Sequence, residues 1–132
     1  MIAALEPGLG IEQFEAGDVD AERFDHEAHV YMAWLYVQAF DLADAVARFD
    51  CALRRLTERL GVPGKYHATI TWLFLVLINE RATREETWEE FRTRNMALIR
   101  DSKTTLQRYY SDALLFSDAA RQHFVLPDKL AV

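Results

Sequence analysis

Two histidines three positions apart precede an apolar segment in FDHEAHVYMAWLY, residues 24–36. On a helix, residues i and i+3 are neighbours, so the imidazoles of His26 and His29 can reach one metal ion. The pattern is not the zincin motif, because that motif places its histidines four apart, and Glu27 projects about 100° away from His26. A metal centre therefore needs a third ligand from elsewhere in the chain.

His67 is the candidate for that third ligand, because it follows the turn GVPGK, residues 61–65, and stands at the start of a second apolar segment. Without a thiolate in the set, three imidazoles suit one divalent transition ion, either Zn, Cu, Ni or Fe(II). A catalytic ion also keeps a coordination position open for water or substrate. We expect a small-molecule pocket beside this ion, lined by the residues that flank the third histidine: Lys65, Tyr66, Thr71 and Trp72.

Two other interpretations of the histidines remain open. They can be structural, with hydrogen bonds to carboxylates such as Asp25 or to tyrosine hydroxyls, or they can form an acid–base pocket without a metal. His123 is interpreted as a surface histidine. The single cysteine, Cys51, is interpreted as a small buried hydrophobic residue, because nothing beside it in the sequence would activate a thiol.

Composition and charge narrow the class of protein. The 132 residues are 51% hydrophobic and 27% charged, which is typical of one folded domain and not of a disordered chain. The net charge of −6 repels phosphate backbones and anionic lipids, so we expect neither nucleic acid nor a membrane as a partner. Residues 1–18 lack the features of a signal peptide, and the apolar run at 72–78 is too short to span a bilayer, so we expect a cytoplasmic protein.

The apolar patterns predict an all-α, single-domain bundle of about five helices with a short helical C-terminal tail. Residues 1–20 contain several glycines and a proline and are expected to form an extended arm, with the bundle in residues 21–132. A first helix, capped by Asp20 or Asp25, is expected to end near Phe40. Nearly all of its side chains are apolar, which predicts that other helices enclose it.

The next two helices should complete the centre of the bundle. A helix capped by Asp41 is expected to end near Leu60 and to be strongly amphipathic. The segment after the turn predicts a central helix ending near Arg81, with a buried strand as the alternative because several of its residues are β-branched. If the second helix returns antiparallel between the other two, His67 and the first two histidines lie at the same end.

In the C-terminal part of the sequence, the patterns predict shorter helices. Thr83 and Glu86 match a capping box that would open a fourth helix, continuing to about Ile99. A fifth helix is expected at residues 101–110. Helical turns are expected after two serines that resemble N-caps, Ser111 and Ser117.

The segments FDHEAHVYMAWLY, GKYHATITW and YYSDALLFSDAARQHFVLPD together resemble a group of small uncharacterised bacterial all-helical proteins. The shared patterns are H-x-x-H, K-Y-H-x-T-x-T-W, Y-Y-S and a terminal P-D, and they cover residues 24–128. The resemblance implies that the two histidine segments belong to one arrangement. It carries no catalytic residue over to this chain.

Two functional hypotheses follow from these patterns. In the first, the protein binds one metal ion through His26, His29 and His67, and as an enzyme it would use the ion to polarise a carbonyl or to activate water or dioxygen. In the second, the chain is a non-enzymatic helical domain that forms a homodimer or binds a partner, and its histidines are structural. The interface candidates for the second hypothesis are Tyr109, Tyr110 and Phe124.

Overall fold

The computed structural model describes residues 10–129, and this part of the chain is all-α, as predicted. Its nine α-helices are α1 (Ile11–Ala16), α2 (His26–Ala39), α3 (Leu42–Arg59), α4 (Ala68–Arg81), α5 (Trp88–Arg94), α6 (Met96–Arg100), α7 (Ser102–Gln107), α8 (Asp112–Leu115) and α9 (Asp118–Gln122). A 3-10 turn, Pro63–Lys65, joins α3 to α4. No strand occurs within residues 10–129, so the strand alternative for the central segment is wrong.

Helices α2, α3 and α4 pack against one another and form the centre of the molecule. Asp25 caps α2 by accepting the N–H of Ala28 at 2.9 Å, and Asp41 caps α3 by accepting the N–H of Asp44 at 2.9 Å. Because short connections make consecutive packed helices antiparallel, α2 and α4 run in the same direction, and they pack directly against each other as well as against α3. The three helices predicted for this part of the chain are confirmed.

Helix α3 has one face in the core and another that points outward. Phe49, Ala52 and Leu53 point into the core, whereas Cys51 is exposed. Cys51 lies about 100° around the helix from Ala52 and almost opposite Phe49 and Leu53. The prediction that this cysteine is buried is therefore wrong.

The start of α2 lies beside the middle of α4, not beside the start of α4. The ring of His26, the first residue of α2, lies 5.2 Å from the ring of Phe74, which is six residues beyond the start of α4. At a rise of 1.5 Å per residue, α4 extends roughly 9 Å past the start of α2. A space that α2 does not fill is thus left between α3 and the first turns of α4.

Helix α1 corrects the prediction of an extended arm for residues 11–16. Its first turn is supported by Gln13, whose Oε1 accepts the N–H of Gly10 at 3.1 Å. It ends at Gly17, which has a φ of 76°. This left-handed conformation favours glycine, because it is strained for a residue with a Cβ. The rest of the predicted arm, residues 1–9, lies outside the described range.

The predicted capping box at Thr83 forms hydrogen bonds but does not start a helix. Glu86 accepts the N–H of Thr83 at 3.1 Å, yet the intervening Glu85 has a φ of 66°, which is not helical. Thr87, four residues after Thr83, is the N-cap of helix α5, and its hydroxyl accepts the N–H of Glu90 at 3.1 Å. The sequence T-x-x-E occurs twice here, and only the second copy caps a helix.

The remaining C-terminal helices are shorter than predicted. Asn95 interrupts the predicted fourth helix and separates α5 from α6, and the predicted fifth helix is helical only at Ser102–Gln107. Ser111 and Ser117 cap α8 and α9 as predicted, each through its side-chain oxygen.

Thr69 attaches the C-terminal segment to α4. Its side chain is fully buried, and its hydroxyl donates to the carbonyl oxygen of Ala120 at 2.7 Å. The same oxygen accepts the N–H of Val125 at 3.2 Å. One hydroxyl therefore satisfies backbone groups on both sides of the end of α9.

We expect Thr69→Val to lower the free energy of unfolding by about 2 kcal/mol, because the variant keeps the shape of the side chain but leaves the Ala120 carbonyl and the Val125 N–H without their partner. Urea unfolding followed by circular dichroism measures the change. The control, Thr104→Val at an exposed position, should stay within about 0.5 kcal/mol of the wild type. A loss no larger than that of the control would contradict this role for the hydroxyl.

Candidate functional site

A cavity of about 420 Å³ occupies the space at the N-terminus of α2. Cavities of this size are typical of small-molecule sites. Its walls are mostly apolar, and α2, α3 and α4 contribute Val30, Leu53, Leu56, Ile70, Phe74 and Ile78. His26, His29 and His67 all lie on these walls, so the structure brings the two histidine segments to one place.

Both ring nitrogens of His67 are used to hold the protein together. His67 is the N-cap of α4, and its Nδ1 accepts the N–H of Ile70 at 3.2 Å. Its Nε2 donates to the carbonyl oxygen of Leu115 at 2.7 Å. This pairing requires a neutral imidazole with its proton on Nε2.

The surroundings of His67 favour that neutral form. Burial lowers the pKa of His67 below its ordinary value. The hydrogen bond to Leu115 opposes this shift, whereas the positive charge of Arg121 adds to it. His67 therefore acts in this structure as a capping and bridging residue.

Within residues 10–129, His26 is hydrogen-bonded through one ring nitrogen only. Its Nε2 lies 2.9 Å from the carbonyl oxygen of Leu98, to which it donates. In the neutral form of the ring, Nδ1 then carries the lone pair. The neighbouring Glu27 is not on the cavity wall and pairs with Arg92 at 2.9 Å, in agreement with its predicted direction.

His29 is the cavity histidine with unpartnered ring nitrogens. Within residues 10–129, neither ring nitrogen of His29 has a hydrogen-bond partner. The nitrogens are also not fully buried, because the one fully buried side-chain N or O atom without a partner in this range is Trp88 Nε1. His29 lines the cavity and is partly buried, so its ring contributes a polar group to the wall. The ring of Phe24 packs against the imidazole, with centroids 4.3 Å apart.

The charge state of His29 follows from its position. The pKa of His29 is lowered to about 4, mainly by burial and also by the nearby His26, while Asp25 acts in the opposite direction. The imidazole is therefore neutral at pH 7, and it can donate one hydrogen bond and accept another.

The three-histidine metal site stays a prediction. Among the residues that the structure describes, no three His, Cys, Asp or Glu side chains are grouped so that they could hold an ion. The lone pair of His67 is engaged by the N–H of Ile70, and ligation would require His67 to leave its capping position. The lone pairs of His26 and His29 are not engaged in this way.

Three of the four predicted pocket residues, Lys65, Tyr66 and Thr71, line the cavity. The hydroxyl of Thr71 donates to the carbonyl oxygen of His67 at 2.8 Å, and that of Tyr66 donates to Asp50, which is not on the wall. Of these three residues, only Lys65 has a side-chain polar group without a hydrogen-bond partner within residues 10–129.

Trp72, the fourth predicted pocket residue, is not on the cavity wall. Its ring stacks on Phe124 with centroids 5.5 Å apart, and its Nε1 donates to Asp50 at 3.2 Å. One position along a helix turns a side chain by about 100°, so Trp72 faces away from the cavity while Thr71 lines it.

The predicted interface residues are used largely within the chain. Tyr110 is fully buried and donates to the carbonyl oxygen of Val125 at 2.6 Å, so it is not an interface residue of the folded chain. Phe124 stacks on Trp72, and Tyr109 is partly buried. Formation of a homodimer stays a prediction.

The α3 side of the cavity was not predicted from the sequence. Leu53, Leu56 and Leu60 line the cavity wall, and the pattern of this segment predicted only an amphipathic helix ending near Leu60. The available signal was length, because α3 has 18 residues and α2 has 14, so one extra turn of α3 finds no packing partner on α2.

No family model, curated protein or solved structure matches this chain. Within residues 10–129, none of the helices combines the length and the apolar character that crossing a membrane requires.

Proposed function

We propose that the protein binds a small, largely apolar molecule in the cavity at the N-terminus of α2. The observation that carries this proposal is a pocket of about 420 Å³ with mostly apolar walls, which opens to solvent beside the N-terminus of α2. Small-molecule sites are concave and mostly apolar, with volumes of about 300 to 1,000 Å³. The size and the apolar walls of this pocket fit that description.

The polar groups on the walls support the same proposal. Small-molecule sites combine apolar walls with a few polar groups that fix the orientation of the ligand. Tyr66, Thr71 and His67 have partners within the protein, whereas the ring of His29, on the same wall, has no hydrogen-bond partner within residues 10–129. A ligand with one polar end would bond to His29 and place its apolar part against Leu53 and the surrounding side chains.

The test uses N-phenyl-1-naphthylamine, a neutral apolar fluorophore, as the probe. We expect one molecule to bind per chain. Thr57→Trp places an indole at the cavity wall and should weaken binding by about tenfold or more. Ala47→Trp is the matched control, because Ala47 is an exposed residue of the same helix that does not line the cavity. Equal affinity in the wild type and both variants, measured by fluorescence titration, would contradict the proposal.

A divalent transition ion is a second candidate ligand for the same cavity, and the free lone pairs of His26 and His29 favour it. We propose that these two imidazoles bind Zn, Cu, Ni or Fe(II), with the bound small molecule or water as further ligands. Metal analysis of untagged protein should then show one ion per chain, lost in His29→Phe and retained in His123→Phe. A metal content near zero after incubation with each of the four ions would contradict this candidate.

A further inference from the structure

Aromatic rings line the cavity where α2 begins. His26 and His29 lie about one helical turn apart on the same face of α2, and a phenylalanine packs against each imidazole. The ring of Phe74, from α4, meets that of His26 edge to face with centroids 5.2 Å apart. The ring of Phe24, from the segment before α2, lies 4.3 Å from that of His29. All four side chains line the cavity, and we call them the aromatic cluster.

The aromatic cluster can distinguish an aromatic ligand from a saturated one. Because each of its rings lines the cavity as well as packing against a neighbour, part of each ring is available to a bound molecule. Phe49 and Tyr66 add two further rings to the walls. Aromatic rings attract one another in offset-stacked and edge-to-face arrangements, beyond the gain from burying apolar area. A ligand with an aromatic ring therefore gains more from these walls than a saturated ligand of the same size.

The polar groups on the walls suit a neutral ligand. Asp25 and Lys65 carry opposite charges, and both are exposed, so solvent screens them and neither selects a charged molecule. The imidazole of His29 is neutral at pH 7 and has no hydrogen-bond partner within residues 10–129. One of its nitrogens can donate a hydrogen bond and the other can accept one. A neutral group such as a hydroxyl, which also donates and accepts, matches this imidazole.

We propose that the ligand is a neutral aromatic compound whose ring packs against the aromatic cluster and whose polar group bonds to His29. This inference rests on the proposed function, because it names the class of molecule that the same cavity binds. It differs from a preference for apolar molecules in general. A saturated ring has slightly more apolar surface than an aromatic ring, so a cavity that selects for apolar surface alone would bind the saturated compound at least as well.

The experiment compares 3-phenylpropan-1-ol with 3-cyclohexylpropan-1-ol, which share the chain and the hydroxyl group and differ in whether the ring is aromatic. Each displaces N-phenyl-1-naphthylamine from the protein at pH 7.5. We expect the phenyl compound to bind about fivefold more tightly to the wild type. Phe24→Leu and Phe74→Leu each replace one ring of the cluster by an aliphatic side chain and should reduce this ratio to about twofold or less. Phe116→Leu changes an exposed phenylalanine outside the cavity and should leave the ratio unchanged.

The outcomes separate this inference from the proposed function. If the fluorophore binds and the cyclohexyl compound displaces it as well as the phenyl compound does, the aromatic assignment is overturned while the proposed function stands. If the phenyl compound keeps its full advantage in Phe24→Leu and Phe74→Leu, the placement of its ring at the cluster is overturned. Phe24 is only partly buried, so its variant supplies this result even if Phe74→Leu does not fold. If the fluorophore and both alcohols fail to bind the wild type, the proposed function fails and the inference fails with it.

Discussion

Replacing His67 by alanine is expected to lower the free energy of unfolding of the metal-free protein by about 3 kcal/mol. The variant removes the side-chain acceptor that caps α4 at Ile70 and the donor that satisfies the carbonyl oxygen of Leu115. Loss of an N-cap costs about 1 kcal/mol, and a buried carbonyl group left without a partner costs about 1 to 3 kcal/mol. Urea unfolding in the presence of a chelator measures the change.

Two further variants show whether the loss has this cause. His67→Asn keeps a side-chain acceptor at the N-cap and should recover about 1 kcal/mol of the loss. His123→Ala changes an exposed histidine and should alter stability by less than about 0.5 kcal/mol. The opposite pattern, in which His67→Ala has no effect without metal and destabilises only the zinc-loaded protein, would assign His67 to a metal site.

The second expected result is a loss of stability in mild acid that depends on His29. The pKa of this imidazole is about 4 in the folded protein and 6.5 in an unperturbed histidine. Between these values the unfolded chain binds a proton that the folded protein does not bind, so the free energy of unfolding falls as the pH falls through this window. Between pH 7.5 and pH 5 the contribution of His29 should fall by about 1 to 2 kcal/mol.

The comparison that isolates this effect is between the wild type and His29→Leu at both pH values. Other titrating groups, among them His67, are present in both proteins and cancel in the difference. We expect the stability of the wild type relative to His29→Leu to be lower at pH 5 than at pH 7.5, as measured by urea unfolding. If the two proteins lose the same stability between these pH values, His29 does not keep a depressed pKa in the folded state.

The central helices could be predicted because their signals are local. Asp25 and Asp41 precede α2 and α3 and cap them through hydrogen bonds to residues three positions on. The apolar residues that follow each cap must be buried, so these segments are expected to pack in the core. With three helices in sequence and short connections, the common end of α2 and α4 follows from topology, which is why the histidines were expected in one region.

The role of His67 could not be predicted in this way. Its partner Leu115 lies 48 residues further along the chain, and nothing near either residue indicates the contact. Histidine is also not among the preferred N-cap residues. The sequence pattern therefore favoured a ligand for an ion, whereas the structure gives both ring nitrogens a partner within the protein.

The C-terminal helices and the cavity depend on features that short patterns do not contain. The first T-x-x-E match failed because Glu85 adopts a φ of 66°, and the Glu86 carboxylate also accepts the Nε1–H of Trp34 from α2 at 3.0 Å. The cavity depends on the relative lengths and offset of three helices. The apolar residues of its walls have the same spacing as core residues, so the sequence pattern did not distinguish cavity-wall residues from core residues.

The most direct test of the central claim is to locate a bound apolar molecule by NMR. In a sample with labelled methyl groups, N-phenyl-1-naphthylamine should show intermolecular nuclear Overhauser effects to the methyl groups of Leu53, Leu56 and Ile70, which line the cavity. Effects confined to exposed apolar residues such as Val76 and Leu126, or no effects at a saturating concentration of the probe, would contradict the claim that this cavity binds small apolar molecules.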